Sequence, residues 1–246
     1  MKPALAYSGR LQEAGRILQH AEQLAQQAGQ QEEAALFEAA AALREGFFGN
    51  SLAARRRATK VLELSRDREA EYGAAFALAL ARDTSRSEEL ANDLQKRFPD
   101  DTSVKFSYLP ALRALLALNH GEAAKAIELL QVAVPNELGA PHSSMHGFFG
   151  ALYPVYVRGE GYLAAHQGPE AVAEFQKILD HRTIVASDPI GALARLQLGR
   201  AYALSGDRAK AKAAYEDFLA LWKNADADIP ILKEANAEYD KAKVSR

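Results

Sequence analysis

Arg158-Gly-Glu-Gly-Tyr162, followed by Ala171-Val-Ala-Glu-Phe175, recurs as Leu198-Gly-Arg-Ala-Tyr202, followed by Ala211-Lys-Ala-Ala-Tyr215. In both copies a glycine precedes a tyrosine by three residues and a small alanine by twelve. Glycine and alanine at such spacings let two paired helices approach closely. The pattern predicts a helix-turn-helix unit that buries its apolar face by stacking on neighbouring units.

Small alanines that open the second helix of each unit extend the pattern along the chain, at Ala14, Ala54, Ala91, Ala126, Ala171 and Ala211. Four of them stand five residues after a turn glycine, namely Gly9, Gly49, Gly121 and Gly206. Gly168-Pro169 is the expected turn of the fifth unit, and Ser85-Arg-Ser-Glu88 has the pattern of a capping box for the third. The fold predicted is all-α, a superhelical solenoid of about six helix pairs.

The two ends of the array differ. Asp228 is the expected cap of a last helix, and the apolar stripe Leu232, Ala235, Tyr239 and Ala242 lies opposite charged residues, as in a capping helix. At the N-terminus, Pro3 to Tyr7 is too short for a full first helix. We therefore expect residues 1–246 to form a single repeat domain that belongs to a longer protein.

Composition narrows the partner classes. The chain has no cysteine, which removes disulfides and thiolate metal sites, and a formal net charge of −2, which gives no general attraction to nucleic acid or to an anionic membrane. No stretch reaches the roughly 18 consecutive apolar residues of a membrane helix. We expect a cytoplasmic protein that binds neither nucleic acid nor membrane.

The spacing of these units resembles the tetratricopeptide repeat, a helix-turn-helix unit of about 34 residues. The stretches 152–163, 175–182 and 188–194 are similar to the repeat-rich C-terminal region of bacterial eukaryotic-like serine/threonine kinases, a kind of region that also follows winged-helix regulators. The resemblance implies a regulatory or docking module of a signalling protein. The kinase motifs themselves are missing, and Thr183 stands where a catalytic aspartate is required after Asp180-His-Arg182. No enzyme activity and no cofactor are predicted.

Two local clusters have simpler explanations than a functional site. His142 and His146 are four residues apart and can face one metal on a helical turn, but no third ligand is evident nearby, so incidental loop histidines are favoured. Arg55-Arg-Arg57 with Lys60 is a basic patch for an acidic partner, or else a solvated outer face over which these side chains fan.

The candidate partner-binding groove lies on the first helices of the later units, because first helices line the concave face in the tetratricopeptide fold. Its candidate residues are Tyr153, Tyr156 and Glu160 on the fifth unit, Leu196 and Arg200 on the sixth, and Arg113 and Asn119 on the fourth. Aromatic side chains and arginine are common at binding hot spots. The alternative is that Tyr153 and Tyr156 pack beneath the loop around Phe148 and Phe149.

The resulting hypothesis is a non-catalytic scaffold that binds a protein or peptide. Self-association of the chain as a homo-oligomer is the alternative, and a metal-dependent enzyme is a distant one. The lysine-rich clamp with which some tetratricopeptide proteins hold a terminal carboxylate is not evident.

Overall fold

The computed structural model describes residues 2–139 and 150–244, and within these ranges the regular structure is helical. A π-helical segment, Val104–Tyr108, precedes the seventh helix, and a 3-10 segment, Gln131–Asn136, follows the eighth. The α-helices are α1 (Lys2–Tyr7), α2 (Leu11–Gln27), α3 (Gln31–Phe47), α4 (Ser51–Leu64), α5 (Arg68–Leu80), α6 (Thr84–Arg97), α7 (Leu109–Asn119), α8 (Ala123–Leu129), α9 (Tyr153–Ala164), α10 (Gly168–Asp180), α11 (Arg182–Val185), α12 (Pro189–Leu204), α13 (Arg208–Leu221) and α14 (Pro230–Val244).

Six helix pairs are joined by tight turns of one kind. The pairs are α1/α2, α3/α4, α5/α6, α7/α8, α9/α10 and α12/α13, and the same turn also joins α2 to α3. In each turn the residue after the left-handed position donates its N–H to a carbonyl five residues earlier, as Asn50 does to Glu45 at 2.8 Å. This is the 6→1 bond of a Schellman motif, which ends a helix while satisfying its last carbonyls. The glycines at the left-handed position are Gly9, Gly29, Gly49, Gly121 and Gly206.

Two turns use a residue other than glycine, and both correct the sequence-based prediction. The α5/α6 turn has Arg82 at φ +57°, and α6 begins after Asp83 without a side-chain cap, so the predicted capping box does not form. The α9/α10 turn has His166 at φ +58°, whereas Gly168 is the first residue of α10. The backbone geometry of the turn is therefore kept without glycine at these two positions.

The small residue five positions after each left-handed residue is buried against the partner helix. Ala54, Ala126, Ala171 and Ala211 are all at most 1% exposed. Counting five from Arg82 gives Ser87, which is fully buried and donates its hydroxyl to the Ala75 carbonyl at 2.8 Å. The residues at the same position after Gly9 and Gly29 are Ala14 and Ala34, and both are buried. Ser87, and not the predicted Ala91, thus holds the close-contact position of the third pair.

The repeated phrase corresponds to a repeated helix crossing. A Cβ built on Gly159 would lie 2.7 Å from the Phe175 ring, and one built on Gly199 would lie 2.9 Å from the Tyr215 ring. Real Cβ atoms essentially never come this close to other atoms. The two glycines therefore allow an aromatic ring of the second helix to rest on the backbone of the first helix, at the same register in both pairs.

The helices α3, α5, α7, α9 and α12, here called the inner helices, contact one another in this order, and α12 contacts α3 again. Aromatic rings fill the space between them: Phe47 lies 5.3 Å from Tyr153 and 5.6 Å from Tyr156 between ring centroids. The two ends of the chain also meet, because the Trp222 Nε1–H donates to the Tyr7 carbonyl at 3.0 Å and Phe48 packs edge-on against Trp222 at 4.8 Å. Contacts are thus not confined to neighbouring pairs, as they are in an open solenoid.

The last helix, α14, has the predicted amphipathic character. Ala235 is fully buried, and Leu232, Tyr239 and Ala242 pack against the core. Lys233, Glu234 and Asp240 are exposed. Its first turn is fixed by the Ile231 N–H, which donates to the Phe48 carbonyl at 3.2 Å. The helix therefore covers the point at which α3 and the later inner helices meet.

Candidate binding pocket

A cavity of about 600 Å³ opens where the C-terminal ends of α3, α5, α7 and α9 converge on α12 and the start of α14. We call it the inner pocket. Its apolar lining consists of Phe47, Leu80, Leu115, Leu118, Leu163 and Ile231. Its polar lining consists of Arg82, Asn119, Tyr156, Glu160, Gln197, Arg200 and Glu234. An apolar wall with a few convergent polar groups is typical of ligand sites of this volume.

Four residues of the predicted groove meet in this pocket. Tyr156, Glu160, Arg200 and Asn119 come from three different inner helices, and all of them line it. Tyr156 contributes little surface, since it is only 3% exposed. Asn119 is oriented by its amide, which donates to the Ala79 carbonyl at 2.8 Å.

Gln197 connects the polar groups at the base of the inner pocket. Its Nε2 donates to the Tyr156 hydroxyl at 3.0 Å and to Glu160 Oε1 at 3.1 Å. Burial raises the pKa of Glu160 to about 7, against the lowering effects of Arg200 and of a hydrogen bond with Tyr156. Glu160 forms no ion pair within 4 Å with any described lysine or arginine. Its charge is therefore held by neutral donors and by Arg200 at longer range.

The Arg200 guanidinium is bound by α14. Its Nε and Nη2 donate to Glu238 at 2.9 and 2.8 Å, and Nη2 also lies 3.3 Å from Glu234 Oε2. Tyr215 donates its hydroxyl to the same Glu238 carboxylate at 3.1 Å. This bidentate pairing holds α14 against α12. It also leaves Arg200 less available to a partner than the sequence suggests.

Three predicted groove residues lie elsewhere. Tyr153 is 1% exposed, and its hydroxyl donates to Asp188 at 3.1 Å. Leu196 is fully buried, so neither residue can touch a partner while the core stays packed. Arg113 donates to Gln95 and lines a separate, smaller groove. Phe148 and Phe149 lie outside the described residues, so packing of the tyrosines beneath that loop stays a prediction.

Several residues of the pocket were not predicted from the sequence. Gln197 stands three residues before Arg200, on the same face of α12, and this i, i+3 spacing was the available signal. Glu234 is one of the exposed charged residues of α14, yet it also lines the pocket beside Arg200. Arg82 belongs to a turn that the sequence did not mark, and it has no ion-pair partner among the described residues.

A second cavity, of about 740 Å³, lies between α2 and α4 and includes part of the basic patch. Arg56 lines it, exposed and without a partner among the described residues. Arg55 instead donates to the Ala81 carbonyl at 2.6 Å, and Arg57 pairs with Glu38 at 2.9 Å. The three arginines thus point to different neighbours, as the wide fan over a helix face predicts.

Within the described ranges, no three histidine, aspartate or glutamate side chains are grouped as metal ligands. His142 and His146 fall outside these ranges. Among the helices that the structure describes, none combines the length and the apolar character needed to cross a membrane.

No protein-family model matches the chain, and none of the curated proteins matches it significantly.

Proposed function

We propose that the protein is a non-catalytic binding module that recognises a protein or peptide segment in the inner pocket. The observation that supports this proposal is that four of the seven residues predicted to form one groove line a single cavity of about 600 Å³, namely Tyr156, Glu160, Arg200 and Asn119. The cavity combines leucine walls with both charge signs, which suits a side chain or a short peptide.

The tetratricopeptide resemblance, with its implied role in a larger bacterial signalling protein, forms part of the same proposal. The six helix pairs, the Schellman turns and the buried small residues after them support it. Superhelical repeats of this kind present their first helices to partners, and the inner pocket lies between first helices. Self-association stays a separate hypothesis.

The experiment is selection of a displayed random heptapeptide library on the full chain, followed by affinity measurements on two tryptophan variants. Ala164→Trp places a large ring at the rim of the pocket, at an exposed last residue of α9. Ala220→Trp is the matched control, because Ala220 is exposed near the end of α13 and lies outside the pocket lining.

Selected peptides are expected to bind the wild type and Ala220→Trp equally and to bind Ala164→Trp at least about tenfold more weakly, a loss of about 1.4 kcal/mol. Thermal melting of both variants checks that the fold is kept. Equal affinity for all three proteins would place recognition outside the inner pocket.

A further inference from the structure

Arg200, the half-buried arginine of the inner pocket, is already neutralised by carboxylates of the same protein. Arg200 is flanked by two carboxylates of α14, Glu238 at 2.8 Å and Glu234 at 3.3 Å. Two negative charges therefore surround one guanidinium. A ligand anion would have to displace Glu238 from a bidentate pair, which is the strongest kind of ion-pair contact between side chains. Arg200 is thus poorly suited to bind an anionic ligand.

Two charged groups of the inner pocket lack a counterion among the described residues, namely Glu160 and, at the exposed turn after α5, Arg82. The Glu160 carboxylate accepts from the Gln197 amide at 3.1 Å, and no described lysine or arginine reaches it within 4 Å. Glu160 is half-buried, and its carboxylate is held by neutral donors and by Arg200 at longer range. Its desolvation is costly, and an approaching cation would offset that cost. Glu160 also lies in the last turn and a half of α9, where the helix dipole is unfavourable to a negative charge.

The surrounding backbone reinforces this preference for positive charge. The last turns of α3, α5, α7 and α9 all border the inner pocket, and the carbonyl ends of helices carry partial negative charge. Leucine side chains from α5, α7 and α9 form the wall beside Glu160. A basic side chain combines an apolar stem with a charged tip, and both parts match this arrangement.

We propose that the inner pocket receives the lysine or arginine side chain of a peptide, with Glu160 as its counterion. The inference rests on the proposed peptide-binding function and adds the chemistry of the ligand. Arg82 does not oppose it, because this residue is exposed at the turn after α5, where solvent screens its charge. Glu160 favours a basic side chain in the ligand, and the leucine wall of the pocket favours apolar residues next to it.

The test uses the full chain and three acetylated, amidated heptapeptides with two leucines on either side of the central residue. The central residue is lysine, norleucine or glutamate. The lysine peptide is expected to bind at least about tenfold more tightly than the norleucine peptide, because a charge-assisted hydrogen bond replaces an apolar contact. Fluorescence anisotropy or calorimetry gives the affinities.

Glu160→Gln keeps the shape and the acceptor for Gln197 but removes the charge, so it is expected to abolish the preference for lysine. Glu89→Gln is the matched control, because Glu89 is an exposed carboxylate on α6 outside the pocket. A second pair of variants does not depend on the stability of Glu160→Gln. Ala164→Lys places an ammonium four residues after Glu160, the favourable i, i+4 arrangement. Ala220→Lys is its control, because it adds the same charge at an exposed residue of α13 outside the pocket.

Ala164→Lys is expected to lose the lysine preference and Ala220→Lys to keep it. Tighter binding of the norleucine or glutamate peptide by the wild type, or an unchanged lysine preference in Glu160→Gln, would overturn the inference while leaving the proposed peptide-binding function intact. If no peptide of the panel binds, the inference falls, and the library selection then decides the proposed function independently. Equally tight binding of free n-butylammonium would overturn the assignment to a peptide.

Discussion

Gly199→Val is expected to destabilise the fold by forcing apart the crossing of α12 and α13. The new Cβ would lie 2.9 Å from Cδ1 and Cε1 of Tyr215, whereas ordinary contact begins near 3.4 Å, so a shift of about 0.5 Å is required. Tyr215 cannot easily yield, because it is 3% exposed and its hydroxyl is fixed on Glu238 at 3.1 Å. The steric clash can therefore be relieved only if α12 and α13 move apart.

The magnitude follows from two opposing effects. Inserting extra carbon atoms into a well-packed interior costs about 1–3 kcal/mol. Replacing glycine inside a helix by valine returns only a few tenths of a kcal/mol in helix propensity, roughly 0.3–0.5. The net loss is about 0.5–2.7 kcal/mol, and at about 2–4 °C per kcal/mol for a chain of this size the Tm falls by about 1–11 °C.

The assay is thermal unfolding followed by circular dichroism, with Gly15→Val as the matched control. Gly15 is also inside a helix, α2, but a Cβ there would meet nothing within 4 Å. The control is expected to stay within about 0.5 kcal/mol of the wild type, as surface substitutions usually do. Equal Tm changes in both variants would refute the assignment of Gly199 as the close-contact residue of the crossing.

Two other expectations concern pH and the turns. Burial raises the pKa of Asp188 to about 7, so the folded state holds this proton more tightly than the unfolded chain, and the stability from this group is lost as the pH rises through about 7. Melts at pH 5 and pH 8 should show a larger fall in Tm for the wild type than for Asp188→Asn; equal falls would argue against a buried Asp188. His166→Gly should raise the free energy of unfolding by about 0.5–1 kcal/mol, since left-handed backbone costs a residue with a Cβ about 1–2 kcal/mol. Urea unfolding measures this change, and a less stable variant would contradict the turn geometry.

The helix pairs could be predicted because each one is specified locally. A glycine at the left-handed position and a small residue five positions later are both visible in the sequence, and they place the turns of four of the six pairs without tertiary information. The α5/α6 turn was misread because Arg82 adopts the same backbone without a glycine to mark it. The spacing therefore predicts Ala91 as the small residue of this pair, whereas the structure has Ser87 at that position.

The residues of the pocket could be predicted only in part. Sequence spacing shows on which face of a helix a residue lies, but not how deeply its side chain is buried. Tyr153 and Tyr156 are three residues apart on one face, yet Tyr153 reaches Asp188 in the core while Tyr156 borders the cavity. Both rings also pack against Phe47 of α3, which is more than 100 residues away in sequence. Periodicity within one helix gives no information about contacts with residues so far away in sequence.

Aromatic contacts among α3, α5 and α9 reduce the open surface between the inner helices. In an open array the first helices form a continuous groove that accommodates an extended chain. Here Phe47, Phe76 and Tyr153 fill the space between the inner helices, with Phe76 and Tyr153 only 5.0 Å apart between ring centroids. The aromatic residues that would line an open groove instead hold the inner helices together.

The inner pocket lies at the C-terminal ends of α3, α5, α7 and α9 and is bordered by α14. A volume of about 600 Å³ suits one or two side chains and not a long helix or strand. Affinity would then depend on a few well-placed contacts, above all on the charge of Glu160. This is why a substitution that removes only that charge is a sharper test of recognition than one that alters the shape of the pocket.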